Sequence, residues 1–99
     1  MSQEIRTTIT VENEDGLHAR PAAQLVQAIR NLNCRVHLWC TEGEEVDGKS
    51  ILGVMMLAAE RGTTVHVRVD GPDSAQAVAE IARILEDHPP QEQNHAMGS

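Results

Sequence analysis

Three runs of this 99-residue chain alternate with a period of two. Ile5, Thr7, Ile9 and Val11 are separated by Arg6, Thr8 and Thr10. Cys34, Val36, Leu38 and Cys40 are separated by Arg35, His37 and Trp39. Val65, Val67 and Val69 are separated by His66 and Arg68. Side chains of a strand point alternately to its two faces, so each run predicts a strand with one face buried and one face wet. Such strands need a single layer of cover, and the chain supplies it between them. Pro21 suits the first turn of a helix whose stripe is Ala22, Leu25, Val26, Ile29 and Leu32. Val78, Ile81, Ile84 and Leu85 repeat at the same helical spacing near the other end.

The connections complete the order. Asn13-Glu14-Asp15-Gly16 and Glu42-Gly43-Glu44 carry turn chemistry, and Glu45–Asp47 adds a short edge strand. Ser50 caps a helix over residues 51–60, which Gly62 ends. Asp73 caps the last helix, with Gln76 as its capping-box partner. Pro89-Pro90 stops that helix, and residues 91–99 have nothing to bury. The expected organisation is one domain over 1–88 and a disordered tail over 89–99, its Ala96-Met97-Gly98-Ser99 a cloning remnant. The sequence thus reads β-α-β-β-α-β-α. The economical fold is α+β, in two layers, an antiparallel sheet with its helices on one face. Arg35, His37, Trp39, His66 and Arg68 would lie on the open face.

Charge and composition exclude several classes. The net charge of −7 disfavours a nucleic-acid binder, which needs cations to displace counterions. No stretch approaches the ~18 apolar residues of a membrane span, and the first residues lack the apolar core of a signal peptide. With one Trp and no Phe or Tyr, the interior must be built from aliphatic side chains. Cys34 and Cys40 lie on one strand, about 20 Å apart at roughly 3.3 Å per residue, too far for a disulfide. Both read as small buried hydrophobes of a reducing, cytoplasmic compartment. His37, His66, His88 and His95 form no metal-ligand spacing, and neither a metal nor a cofactor is expected.

The stretch Gly16-Leu17-His18-Ala19-Arg20-Pro21-Ala22-Ala23 holds the candidate chemistry. His18 stands between a glycine turn and a helix start, where unpaired N–H groups and the helix dipole favour an anion. Arg20 adds a planar cation suited to phosphate oxygens. On these grounds alone His18 is either an anion-site residue or a loop histidine that caps a turn. Glu14 and Asp15 set negative charge beside it, which opposes an incoming phosphoryl group.

Residues 16–22 resemble the active-site motif of the HPr family, the histidine phosphocarriers of the bacterial sugar phosphotransferase system. Gly48-Lys49-Ser50-Ile51-Leu52-Gly53-Val54-Met55-Met56-Leu57-Ala58 is similar to that family's regulatory-serine segment, and the spacing between the two blocks also matches. The resemblance runs from about Ile5 to Glu86. It implies an open-faced sandwich with a four-stranded antiparallel sheet and three helices on one face. It further implies that His18 receives a phosphoryl group on Nδ1 from phosphorylated Enzyme I and passes it to IIA domains of sugar permeases or to regulatory proteins. Arg20 matches the arginine that positions the group. The chain would be a monomeric carrier with no independent turnover, not an enzyme. Ser50 matches a serine that a kinase/phosphorylase modifies in some members only, so cap alone and cap plus regulation both stand.

The segment 51–58 is apolar nearly all round. Ile51, Leu52 and Met55, with Ala19 and Pro21, are expected to form a docking surface beside His18. Two other functional classes compete with this reading. A sheet-based RNA reader would use Trp39 among Arg35, His37, His66 and Arg68, but one aromatic and the acidic charge oppose it. A regulator acting only through Ser50 is opposed by the presence of His18, Arg20 and Pro21 together.

Overall fold

The computed structural model describes residues 4–86. The proposed tail, Pro89-Pro90, His88 and His95 lie outside the described residues. Four strands and three helices follow in the expected order: β1 Ile5–Thr10, α1 Ala19–Ile29, β2 Arg35–Cys40, β3 Val46–Asp47, α2 Ile51–Met56, β4 Thr64–Asp70 and α3 Ser74–Leu85. The strands form one antiparallel sheet in the order β1-β4-β2-β3, so the last strand in sequence lies between the first two.

The period-two pattern sets the register. Ile9 pairs with Val65 and Val36 with Val69, which places their side chains on the helix side of the sheet. Val36, Leu38, Val65, Val67 and Val69 are at most 1% exposed there. The helices meet them with Leu25 and Ile29 from α1 and Ile81 and Leu85 from α3, all fully buried. Each such side chain contributes roughly 1.5–3 kcal/mol through burial, which is how a chain without Phe or Tyr closes its core. α1 packs against both α3 and α2.

Both cysteines are free, Cys34 buried and Cys40 half-buried. Burial pushes both thiols above their ordinary value, with Lys49 opposing the effect at Cys34. No described helix is long and apolar enough to cross a membrane.

Two expected features differ. α2 ends at Met56, well before residue 60, and Gly62 (φ +93°) sits in the turn that leads to β4. The chain leaves the helix through Ala58, which adopts a left-handed φ of +50°. The turn brings Ala59 into the core at 3% exposure and aims its carbonyl at the Leu17 N–H, 2.8 Å away. That packing offsets a backbone cost of about 1–2 kcal/mol for a residue with a Cβ. Asp73 does stand at the N-cap, immediately before α3, but its side chain makes no bond to the helix and there is no capping box. Its carboxylate instead accepts the Asn33 N–H at 2.7 Å, while Ser74 Oγ donates to Gly71 O at 2.7 Å. Asp73 therefore ties the loop after α1 to the start of α3.

Candidate functional site

His18 is the residue that immediately precedes α1, with extended backbone (φ −97°, ψ −165°) and an exposed side chain that makes no cap bond. The preceding loop is held from two sides. Gly16 N donates to Asn13 O at 3.1 Å, and Leu17 N donates to Ala59 O. Leu17 is 5% exposed and anchors the loop in the core, so the histidine stands on a fixed base. Gly16 has φ +74°, and a Cβ there would lie 2.7 Å from Ala59 O. Glycine is thus required both by conformation and by the close approach of the segment that follows α2.

The first backbone bond of α1 runs from Ala22 N to His18 O at 3.0 Å. The Ala19 and Arg20 N–H groups precede that first bond and have no partner among the described residues, while Pro21 contributes no N–H at all. Two free donors and the positive end of an eleven-residue helix lie beside the imidazole. Arg20 is exposed, with no ion pair among the described residues. Glu14 and Asp15 are exposed in the preceding turn, and neither bonds to His18. The arrangement can accept an anionic group on a ring nitrogen and meet its oxygens with N–H donors.

Ser50 caps α2 as expected: its Oγ accepts from Gly53 N at 3.0 Å. Gly53 is confined because a Cβ would lie 3.0 Å from Asp47 O. Ile51, Leu52 and Met55 are exposed at 44%, 69% and 40%, and Val54 alone of α2 is buried. Met56, 68% exposed, belongs with them and was not expected. It lies four residues after Leu52, and that spacing could have revealed it. Pro21 is buried in the first turn of α1, so little of its surface is open to a partner. Ala19 is exposed.

The far face of the sheet is less open than the sequence suggests. Trp39 and His66 stack with ring centroids 5.4 Å apart, and Glu45 bridges His37 and Arg68. Among the described residues no cluster of His, Cys, Asp and Glu could hold a metal ion.

Residues 5–87 match the PTS-HPr family, described as the PTS HPr component phosphorylation site. A phosphocarrier protein HPr of Xylella fastidiosa (strain Temecula1) is 45% identical over 78 residues, 79% of this chain and 86% of that protein. The crystal structure of a phosphocarrier protein HPr from Bacillus anthracis superposes with a TM-score of 0.78 at 29% identity, covering 84% of this chain and 98% of the other. The solution structure of Crh, the Bacillus subtilis catabolite repression HPr, gives a TM-score of 0.63 at 33% identity, covering 86% and 100%.

Proposed function

This chain belongs to the HPr family of phosphocarrier proteins of the phosphotransferase system, and from that premise we propose that His18 is the residue that carries the phosphoryl group. The observation that carries the reading is the exposed imidazole at the start of α1, fixed by Leu17 and beside the unpaired N–H groups of Ala19 and Arg20. Phosphorylated Enzyme I is the donor. Nδ1 of His18 attacks phosphorus, a P–N bond forms, and the bond to the donor breaks. The N–H groups and Arg20 hold the oxygens while charge redistributes in the transition state. IIA domains of sugar permeases, or regulatory proteins, then remove the group by the reverse exchange. The histidine returns unchanged, so the chain is a shuttle with no net turnover of its own, working in the cytoplasm.

Ile51, Leu52, Met55 and Met56 form the docking face for donor and acceptors. This part of the reading is supported by four large apolar side chains left exposed on a helix of six residues. Methionine repacks readily against differently shaped partners, which suits one face that must serve several. Ser50, at the edge of this face, is the regulatory position. A serine kinase would place a dianion where the partner must cover apolar surface.

The test uses the full chain with Enzyme I and labelled phosphoenolpyruvate. Wild type should take one acid-labile, alkali-stable phosphoryl group, and His18→Ala should take none. Label retained by His18→Ala would show that the site is elsewhere.

A further inference from the structure

A groove of about 480 Å3 opens beside the two-residue edge strand β3, lined by residues of β2, β3 and β4. That is within the ~300–1,000 Å3 range of small-molecule sites. Arg35, His37, Glu45, Asp47, Lys49 and Arg68 contribute its polar lining. Three cations therefore face two carboxylates, in a chain whose net charge is −7.

The partners of these groups are unequal. Glu45 Oε2 sits 2.7 Å from Arg68 Nη2 and 3.0 Å from His37 Nδ1. Asp47 Oδ1 accepts the Lys49 N–H, and Lys49 Nζ donates to Leu32 O at 2.6 Å. The Arg35 side chain has no hydrogen bond or ion pair among the described residues, although Asp70 is its cross-strand neighbour. Arg35 and Arg68 are diagonal neighbours on one face, because Arg35 pairs with Asp70 and His37 with Arg68. Such positions lie roughly 7–8 Å apart, within reach of two long side chains closing on one small anion.

We propose that this groove binds a phosphate-type dianion, free or as a small ester, between Arg35 and Arg68, and that Glu45 occupies part of the seat when no ligand is present. The Glu45 carboxylate is already held there by a guanidinium and an imidazole, the donors a phosphate would use. Its planar group leaves Arg35 idle, whereas a tetrahedral dianion has oxygens for Arg35, Arg68 and His37 at once. Glu45 lies just before β3 with its side chain 41% exposed, so exchanging its exposed ion pairs for a ligand costs little. Arg35, His37 and Arg68 alternate with the buried Val36 and Val67 and so lie on the sheet face opposite α1, and His18 is not among the lining residues.

Nuclear magnetic resonance titration of the full chain tests this, with inorganic phosphate and glycerol 1-phosphate in separate series at constant ionic strength. At about pH 8 both probes are largely dianions. Saturable shifts are expected at residues 35, 37, 45, 46 and 68. Arg35→Gln should weaken binding about tenfold, the effect of one charge-assisted bond, and Glu45→Gln should tighten it. Arg35 makes no ion pair, so its variant keeps the fold and isolates the binding effect. Tighter binding of the ester assigns the site to esters, and equal binding assigns it to the phosphate group itself. Non-saturating shifts, equal affinity of Arg35→Gln and wild type, or shifts confined to residues 18–22 would overturn the proposal.

Discussion

Gly16→Ala should cost far more stability than Gly62→Ala, although both glycines have positive φ (+74° and +93°). An added methyl at Gly62 meets nothing within 4 Å, so its cost is conformational only, roughly 1–2 kcal/mol. At Gly16 the same methyl would stand 2.7 Å from Ala59 O and 3.0 Å from Glu60 Cα. Both are backbone atoms, which cannot rotate aside as a side-chain tip can. Relief requires the two segments to separate, stretching the 2.8 Å bond from Leu17 N to Ala59 O. Losing that bond adds roughly 0.5–1.5 kcal/mol and the disturbed packing of Leu17 about 1 kcal/mol more, for a total near 3–4 kcal/mol. In a domain of this size 1 kcal/mol moves Tm by about 4–8 °C, so Gly62→Ala should lower it by about 4–16 °C and Gly16→Ala by more than 12 °C. Urea melts of both variants and wild type, fitted with a common slope, give the two values. Gly16→Ala should also accept phosphoryl more slowly at a temperature where it is still folded, because the base of His18 has moved. Equal destabilisation by the two substitutions would refute the claim that the His18 loop is braced by the segment after α2.

Three further outcomes are expected. Arg20→Ala should slow phosphoryl acceptance by about tenfold or more while Tm holds within a few degrees, since an exposed side chain without an ion pair contributes little to stability. Ser50→Ala should lose about 1 kcal/mol through the missing acceptor for Gly53 N, whereas Ser50→Asp should keep the cap and yet bind Enzyme I more weakly by calorimetry. The raised thiol values of Cys34 and Cys40 have their own sign: the neutral form is favoured in the fold, so their contribution is complete below the ordinary value of 9.0 and declines as pH rises beyond it. Urea melts should show this alkaline loss in wild type and a smaller one in Cys34→Ala, with slow alkylation of Cys34 near neutral pH.

The elements that were legible in the sequence are those whose information is local. Ile5–Val11 and Val65–Val69 state their period within a few residues, and α1 and α3 show their stripes within three turns. The site loop was legible for the same reason, because the glycine, histidine and proline that shape it are neighbours in the chain. What escaped is set by distant partners. Nothing within residues 57–60 says that the Ala59 carbonyl will meet Leu17, yet that contact ends α2 early through a left-handed alanine. Asp73 looks like a helix cap from its neighbours, but Asn33, forty positions back, claims its carboxylate. Pro21 was correctly placed in the first turn of α1, but the side of the helix it faces depends on how α1 sits on the sheet. The stack of Trp39 on His66 likewise needs the pairing of β2 with β4.

The central position of β4 bears on how the polypeptide is made. Of the four strands β1 is synthesised first, but its neighbour in the sheet, β4, spans residues 64–70. β2 likewise pairs with β4 along its whole length, and before β4 is made it has only the two-residue β3 beside it. Until β4 emerges, therefore, the nascent chain holds two apolar strand faces that lack their principal neighbour. Loop closure over such separations makes acquisition of the native pairing slow, with collapse awaiting the synthesis of residues 64–70. Interruption of synthesis ahead of Thr64 would release a fragment with exposed strand edges and no means of covering them, a substrate for chaperones and proteases.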